Sequence, residues 1–146
     1  LFRVSITVPT VSSSFKAGKP TLMVFYSPTS STVAETLGFA QALIDTYPQQ
    51  VTVLALAVCE DAAMVLKQRA ELGLTFPILS GTGLRLTYGI DSTPKMIILD
   101  GAGVVRSSLV GWGPESATTI KTELFRWVRK DPAPDKTSNG EQKVDR

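Results

Sequence analysis

The sequence is poor in the residues on which most redox and metal chemistry depends. Among its 146 residues there is one cysteine and no histidine. A single cysteine excludes an intramolecular disulfide. The absence of histidine excludes a serine nucleophile activated by an imidazole base, and it excludes metal sites built on imidazole. We therefore expect neither a metal nor a cofactor.

The chain also lacks a large excess of positive or negative charge, and it lacks long apolar runs. The formal net charge is +2, which is too small to indicate binding to nucleic acid or to an anionic membrane. No run approaches the ~18 apolar residues of a membrane span. Because the sequence begins at Leu1 rather than Met, we expect a processed or trimmed chain. A membrane contact is then expected only through an anchor upstream of it.

What is present suits one folded domain. Hydrophobic residues make up 43% of the chain and charged residues 19%, a composition typical of globular proteins of this length. Residues 131–146 differ, because they contain two prolines, one glycine and only Ala133 and Val144 as apolar residues. The composition predicts a domain over residues 1–130 and a disordered C-terminal tail over 131–146.

The rest of the chain is organised around a predicted junction between a strand and a helix. Leu22–Tyr26 is a short apolar run typical of a buried strand, and Val33–Tyr47 carries apolar residues at helical spacing. Between them stand four consecutive hydroxyl residues, Thr29–Thr32. Such residues commonly cap a helix start, so we expect a capping role, with anion or carboxylate binding as the alternative.

Further strands and helices follow from periodicity and turn residues. Helices alternate with strands, which indicates an α/β fold with a central mixed sheet. The predicted strands are Phe2–Val8, Val51–Val58, Lys95–Leu99 and Val104–Leu109, and the predicted helices are Asp61–Leu72, Leu84–Tyr88 and Pro114–Lys130.

The strand–helix junction resembles the active site of the thioredoxin-like superfamily, which has the form Phe-Trp-Ala-x-Trp-Cys-x-x-Cys. Phe25 and Tyr26 take the Phe-Trp places, and the two cysteine places fall on Ser30 and Val33. The stretch Gly73–Leu79 is similar to the Gly-Leu-x-Phe-Pro stretch of the TlpA-like branch of thiol-disulfide oxidoreductases. The resemblance implies a thioredoxin-like fold with the TlpA-like strand–helix insertion. In this sequence the Cys-x-x-Cys motif is degenerate, because both of its cysteine places hold other residues.

Thr93-Pro94 resembles the second marker of this superfamily, a Thr-Pro pair before a strand. The resemblance implies a cis peptide bond that faces the active-site turn. It also implies that the backbone of Thr93 pairs with an extended substrate peptide, as in strand addition. TlpA-like domains usually work outside the bacterial cytoplasm, so the resemblance implies an extracytoplasmic location, periplasmic or membrane-tethered.

The missing thiols decide between the functions that the resemblance implies. Thiol-disulfide exchange needs a thiolate and a resolving thiol, and neither Ser30 nor Val33 can supply one. We therefore expect no catalytic residue. The leading hypothesis is a redox-inactive domain that binds a protein or peptide partner. The residues that would form its binding face are Thr29, Ser30, Ser31, Thr32, Thr93 and Pro94.

Two other hypotheses remain open. The first is a thiol-disulfide oxidoreductase whose cysteines were mutated, or which acts through Cys59 and a partner's thiol. Cys59 ends a predicted buried strand, and the acidic Glu60 and Asp61 beside it disfavour a thiolate. We therefore expect Cys59 to be a small buried hydrophobic residue. The second is a purely structural domain of a larger chain.

Overall fold

The sheet is built outward from one central strand. The computed structural model describes residues 18–84, 90 and 92–128, and among these residues five strands form a single sheet. In chain order they are β1 (Thr21–Tyr26), β2 (Thr52–Ala57), β3 (Ile78–Ser80), β4 (Lys95–Leu99) and β5 (Val105–Val110). The described helices are α1 (Val33–Thr46), α2 (Ala62–Leu72) and α3 (Ser116–Phe125), with a 3₁₀-helix at Thr82–Leu84.

The strand order is β3-β2-β1-β4-β5, so the sheet is mixed. β1 runs parallel to β2 and antiparallel to β4. Phe25, near the end of β1, is paired with Leu56 on one side and with Lys95 on the other. The end of β1, the end of β2 and the start of β4 therefore lie at the same edge of the sheet. The α/β fold with a central mixed sheet, predicted from the sequence, is confirmed.

Both faces of the inner strands are covered. All six residues of β1 are at most 1% exposed. Successive side chains of a strand point to opposite faces, and they divide between two apolar clusters accordingly. Leu22, Val24 and Tyr26 belong to the cluster that also holds residues of the helices, while Met23 and Phe25 belong to the other. Burial on two sides explains why these strands are continuous apolar runs.

The helices contribute apolar side chains to the first of these clusters. α1 contributes Leu37, Ala40 and Leu43, which recur every three residues, and α3 contributes Ile120 and Leu124. A buried leucine in such a cluster is worth about 2–5 kcal/mol against alanine. These contacts hold α1 and α3 against the same face of the sheet as Tyr26.

α2 and β3 follow β2 in the chain, with the helix first and the strand second. The helix begins at its N-cap residue Asp61, whose carboxylate accepts a hydrogen bond from the Met64 N–H at 3.1 Å. It ends at Gly73, which adopts the left-handed conformation with φ of 64° and thereby closes the helix without the strain of a Cβ. Its buried face is narrow, because only Ala62 and Val65 of this helix are buried, while Leu66 is 55% exposed.

Two predicted helices differ from the structure. The last one was predicted over Pro114–Lys130, but α3 ends at Phe125. The Trp127 N–H donates to the Leu124 carbonyl at 3.1 Å, which forms a tighter turn, and the Trp127 ring lies 4.6 Å from the Arg106 guanidinium. This contact with β5 competes with continuation of the helix. Of the helix predicted at Leu84–Tyr88, Leu84 ends the 3₁₀-helix, and the remaining residues lie outside the described part.

The strand Phe2–Val8 and the tail 131–146 also lie outside the described residues. The helix α1 ends at Thr46, one residue before the predicted end at Tyr47. β5 is displaced by one residue from the predicted Val104–Leu109, with an irregularity in its pairing between Ile98 and Leu99. A bulge of this kind inserts one unpaired residue and shifts the register beyond it.

The turn that joins β4 to β5 is organised by Asp100. Its carboxylate accepts hydrogen bonds from the Ala102 and Val104 N–H groups at 2.9 and 3.0 Å and from the Arg106 Nε at 2.8 Å. The hydrogen bond from the Val104 N–H is the main cause that lowers the pKa of Asp100, and Arg106 adds to it. The ionised carboxylate is therefore the form that stabilises this hairpin.

We predict that Asp100→Asn lowers the free energy of unfolding in a pH-dependent way. The pKa of Asp100 is lower in the folded chain than in the unfolded chain, where it is about 3.9. The contribution of the carboxylate is therefore fully present above about pH 5 and is lost as the pH falls through the folded pKa. Urea denaturation of both proteins from pH 7 to pH 2 measures the difference, which should be constant above pH 5 and shrink in acid. A difference that does not change with pH would contradict this assignment.

Candidate functional site

The segment after β1 folds into two successive turns before α1 begins. The Ser30 N–H donates to the Ser27 carbonyl at 3.0 Å, and the Val33 N–H donates to the Ser30 carbonyl at 3.2 Å. The second turn brings Ser30 and Val33 together at the start of α1. Thr29 and Ser31 are exposed at the surface, while Ser30, Thr32 and Val33 are half-buried. We call Ser27–Val33 the junction turn.

The hydroxyl groups of the junction turn bond mainly to one another. Ser27 Oγ and Thr29 Oγ1 are 3.1 Å apart, and Ser30 Oγ and Thr32 Oγ1 are 3.2 Å apart. Ser30 Oγ also accepts a hydrogen bond from the Thr32 N–H at 3.3 Å. The Ser30 hydroxyl therefore has hydroxyl and amide partners in this turn, neither of which can act as a base near neutral pH.

The capping role expected of Thr29–Thr32 is not filled by the N-cap residue itself. Thr32 is the N-cap residue of α1, but its side chain makes no capping hydrogen bond. The turn is stabilised instead by Ser30, two residues upstream, and by the Thr36 hydroxyl, which donates to the Thr32 carbonyl at 2.9 Å. The N–H groups of Thr32 and Val33 are already engaged with Ser30, so these two groups are not available to the anion that was the alternative expectation.

Thr93 and Pro94 lie at the same edge of the sheet as the junction turn. Phe25 is paired with Lys95, so the residues before Lys95 continue along the end of β1, toward the position where the junction turn starts. The Thr93-Pro94 peptide bond is cis, the geometry that the sequence predicts. Pro94 is buried and Thr93 is half-buried, and the Pro94 carbonyl accepts a hydrogen bond from the Gly111 N–H at 2.8 Å.

Two residues next to the junction turn each bury a polar atom: Tyr26, which precedes the turn in the chain, and Gln68, which contacts it. The Gln68 Nε2 of α2 donates to the Pro28 carbonyl at 3.0 Å and so ties α2 to the turn. Among the described residues, the Gln68 Oε1 and the Tyr26 hydroxyl are buried and have no hydrogen-bond partner. Burial raises the pKa of Tyr26, and the nearby Cys59 raises it further. The phenol is therefore neutral at any physiological pH.

Cys59 differs from its prediction. It follows the end of β2 rather than ending that strand, and it is half-buried rather than buried. Its Sγ accepts a hydrogen bond from the Asp61 N–H at 3.3 Å, and the thiol donates to the Asp61 carbonyl at 3.7 Å. The chain leaves the sheet after Ala57 to begin α2, and this change of direction is what exposes part of the thiol.

The chemistry available at this edge is limited by its side chains. The junction turn offers hydroxyl groups and backbone groups, and it contains no thiol. Among residues 18–84, 90 and 92–128 there is no cluster of histidine, cysteine or carboxylate side chains that could hold a metal ion. Across the same residues, no helix is both long and apolar enough to cross a lipid bilayer.

Comparison with known proteins gives structural matches only. No protein-family model and no curated protein sequence matches this chain. Solved structures do match it. One is a thiol:disulfide interchange protein of the thioredoxin family from Chlorobium tepidum, with a TM-score of 0.68 and 20% identity, over 80% of this chain and 83% of the other.

Two further structures are similar to a comparable extent. A secreted disulfide oxidoreductase of Mycobacterium tuberculosis, homologous to E. coli DsbE, has a TM-score of 0.66 and 15% identity, over 79% of this chain and 85% of its own. StoA of Bacillus subtilis has a TM-score of 0.62 and 21% identity, over 73% of this chain and 83% of its own. At these identities the likeness establishes the fold and leaves the activity open.

We predict that Tyr26→Phe does not destabilise the chain. The hydroxyl is buried without a hydrogen-bond partner among the described residues, so its removal should leave the free energy of unfolding unchanged or raise it by up to about 1 kcal/mol. Thr21→Val is the matched variant. Thr21 stands at the other end of β1, is equally buried and also has an unpartnered hydroxyl.

Urea denaturation of both variants measures this effect against the unsubstituted chain. If Tyr26→Phe lowers the free energy of unfolding by more than about 1 kcal/mol while Thr21→Val does not, the hydroxyl of Tyr26 has a hydrogen-bond partner in solution. That result would contradict the assignment of the Tyr26 hydroxyl as a buried group without a hydrogen-bond partner.

Proposed function

Because this chain has the thioredoxin-like fold of the thiol:disulfide interchange proteins similar to it, we propose that it is a redox-inactive member of that fold. Its role in this proposal is to bind a protein or peptide partner at the face formed by the junction turn and Thr93-Pro94. The residues proposed for this face are Thr29, Ser30, Ser31, Thr32, Thr93 and Pro94.

One observation carries the proposal. The antiparallel register of β1 and β4 puts Thr93-Pro94 at the edge of the sheet where the junction turn begins. At that edge the side chains supply hydroxyl groups in place of a pair of thiols. Reduction of a partner's disulfide takes two electrons from a pair of thiols. Strand addition instead uses the backbone N–H and C=O groups of the protein. Loss of the thiols therefore removes the first process and leaves the groups needed for the second.

The partner that fits this face is an extended segment of a protein. Backbone pairing supplies affinity with little dependence on side-chain charge, and the chain's net charge of +2 does not favour nucleic acid. We place the protein outside the cytoplasm, either periplasmic or tethered to a membrane, in line with the secreted M. tuberculosis protein of similar fold. We propose no metal and no cofactor for it.

The competing function is thiol-disulfide exchange, either in a form whose two cysteines have been replaced or through Cys59 with a partner's thiol. The two functions differ in a simple assay. We predict that the chain does not accelerate reduction of insulin disulfides by dithiothreitol, because Ser30 and Val33 supply no thiol pair. Turnover above the uncatalysed rate, lost in Cys59→Ala, would favour the competing function.

Two variants test whether the thiol positions are assigned correctly. Ser30→Cys alone should form stable mixed disulfides that are not released, because no second thiol resolves them. Ser30→Cys combined with Val33→Cys should close an internal disulfide under mild oxidation and then reduce insulin, since a hydrogen bond already joins the backbone of the two residues in one turn. Failure of the double variant to close its disulfide would show that the motif has been placed on the wrong residues.

We predict that peptide binding depends on the backbone N–H of Thr93. Thr93→Pro removes this donor, while Thr93→Val keeps it and removes only the side-chain hydroxyl. The probe is the B chain of insulin with its thiols alkylated, titrated into the ¹⁵N-labelled chain. We expect amide shifts confined to Thr29–Val33 and the residues around Thr93, and an affinity roughly threefold to tenfold lower in Thr93→Pro.

Thr93→Val should bind the peptide as the unsubstituted chain does. The absence of shifts at the junction turn, or equal affinity in Thr93→Pro and Thr93→Val, would contradict binding by strand addition at this face. Circular dichroism of each variant confirms that it is folded before the titration is interpreted.

A further inference from the structure

A cleft of about 140 Å³ lies between α1 and α3. Its lining comes from the second half of α1, the position after that helix and one lysine of α3, namely Phe39, Ala42, Leu43, Thr46, Tyr47 and Lys121. Leu43 is buried and forms the floor, while Ala42 and Thr46 are exposed beside the opening. The junction turn precedes the other end of α1, so this cleft is separate from the proposed peptide-binding face.

Aromatic pairs hold both ends of the cleft in place. Phe39 of α1 packs against Trp112 with the ring centroids 5.5 Å apart, and Tyr47 packs edge-on against Phe125 of α3 with the centroids 4.7 Å apart. The two pairs are separated by ~12 Å along α1. Contacts of this kind stabilise aromatic rings beyond the effect of their burial. The space between the pairs is therefore formed by the fold itself, before any ligand binds.

The dimensions of the cleft fit a single six-membered ring. An apolar cavity of about 150 Å³ accepts benzene in a packed protein interior, and aromatic side chains attract a further ring through their faces and edges. Pockets for drug-sized ligands measure about 300–1,000 Å³, so a nucleotide exceeds this cleft. Because Lys121 lies at the side that opens to solvent, a polar substituent on the bound ring would project toward this residue.

Lys121 places a positive charge at the opening without an acidic partner. The residue is exposed, and among the described residues no carboxylate pairs with its ammonium. Two acidic residues of the same helices are engaged elsewhere. Asp45 of α1 accepts a hydrogen bond from the Gln41 Nε2 at 2.9 Å, and Glu123 of α3 pairs with Arg126 at 3.3 Å. An unpaired ammonium beside an apolar surface attracts an anion more strongly than in bulk water, because the local dielectric constant is lower.

We propose that this cleft binds a small aromatic carboxylate. Its ring lies between Phe39 and Tyr47. Its carboxylate contacts the Lys121 ammonium at the opening, where the Thr46 hydroxyl supplies a second donor. A single ammonium matches the one charge of a carboxylate, whereas phosphate groups are commonly held by the planar fork of arginine or by several donors at once. The site therefore selects a monocarboxylate that carries one ring.

The first test needs no substitution. Phenylacetate, phenylacetamide and acetate are titrated separately into the ¹⁵N-labelled full chain. We expect phenylacetate to shift the amide signals of Phe39–Tyr47 and of residues around Lys121, with a dissociation constant of about 0.1–1 mM. Phenylacetamide lacks the charge and acetate lacks the ring, so each should bind at least about threefold more weakly. Absence of shifts at the cleft, or equal affinity for phenylacetate and phenylacetamide, would overturn the proposal.

Substitutions at Lys121 distinguish a ligand contact from a structural role. Lys121→Met should weaken phenylacetate binding roughly threefold to tenfold and leave phenylacetamide binding unchanged. Lys121→Arg keeps the charge and should keep most of the affinity. The matched control is Lys67→Met, which removes an exposed lysine of α2 with the same change in net charge. This control should bind phenylacetate as the unsubstituted chain does.

A substitution that fills the cleft tests the position of the ring. Ala42→Leu adds apolar volume at an exposed helical residue, where leucine is a good helix former, and it should weaken both aromatic ligands at least about threefold. Circular dichroism confirms that each variant is folded. Equal affinities in Lys121→Met and Lys67→Met, or undiminished binding in Ala42→Leu, would overturn the proposal. These outcomes are independent of peptide binding, because the cleft includes neither Thr93 nor the junction turn.

Discussion

The structure depends above all on the burial of β1 on both of its faces. Thr21–Tyr26 lies in the middle of the sheet, and none of its residues is more than 1% exposed. It is the only described strand that pairs with both β2 and β4. Burial of each large apolar side chain of β1 stabilises the fold by ~1.5–3 kcal/mol. A shift in register would expose these side chains, so β1 fixes the register of the strands that pair with it. The positions of the junction turn, Thr93-Pro94 and Cys59 all follow from where β1 ends.

That edge of the sheet carries hydroxyl groups and backbone groups. Ser30 and Val33 are joined by a backbone hydrogen bond, and the hydroxyls of Ser30 and Thr32 bond within the turn. These local bonds satisfy the polar groups of the turn without any ligand, which makes it a stable part of the surface.

The buried polar groups without partners stand out against this well-satisfied surface. Within the described part of the chain, Thr21, Tyr26, Gln68 and Trp127 each place one such atom in the interior. Gln68 also bonds the Pro28 carbonyl of the junction turn through its Nε2. The cost of leaving a buried hydroxyl unpaired is about 1–3 kcal/mol.

The sequence alone determined the order of β1, α1, β2, α2, β4, β5 and α3 and the placement of the junction turn, whereas β3 was not among the predicted strands. Alternating or continuous apolar runs predicted β1, β2 and β4, and local signals that act within a few residues predicted the ends of α2 at Asp61 and Gly73. The tertiary structure decided what depends on distant neighbours. Trp127 leaves the helix that was predicted for it because Arg106 of β5 contacts its ring, and Cys59 is half-buried because the chain turns from β2 into α2. Which hydroxyl of the turn bonds which N–H could not be read from the residue types, since four consecutive hydroxyl residues compete for the same groups.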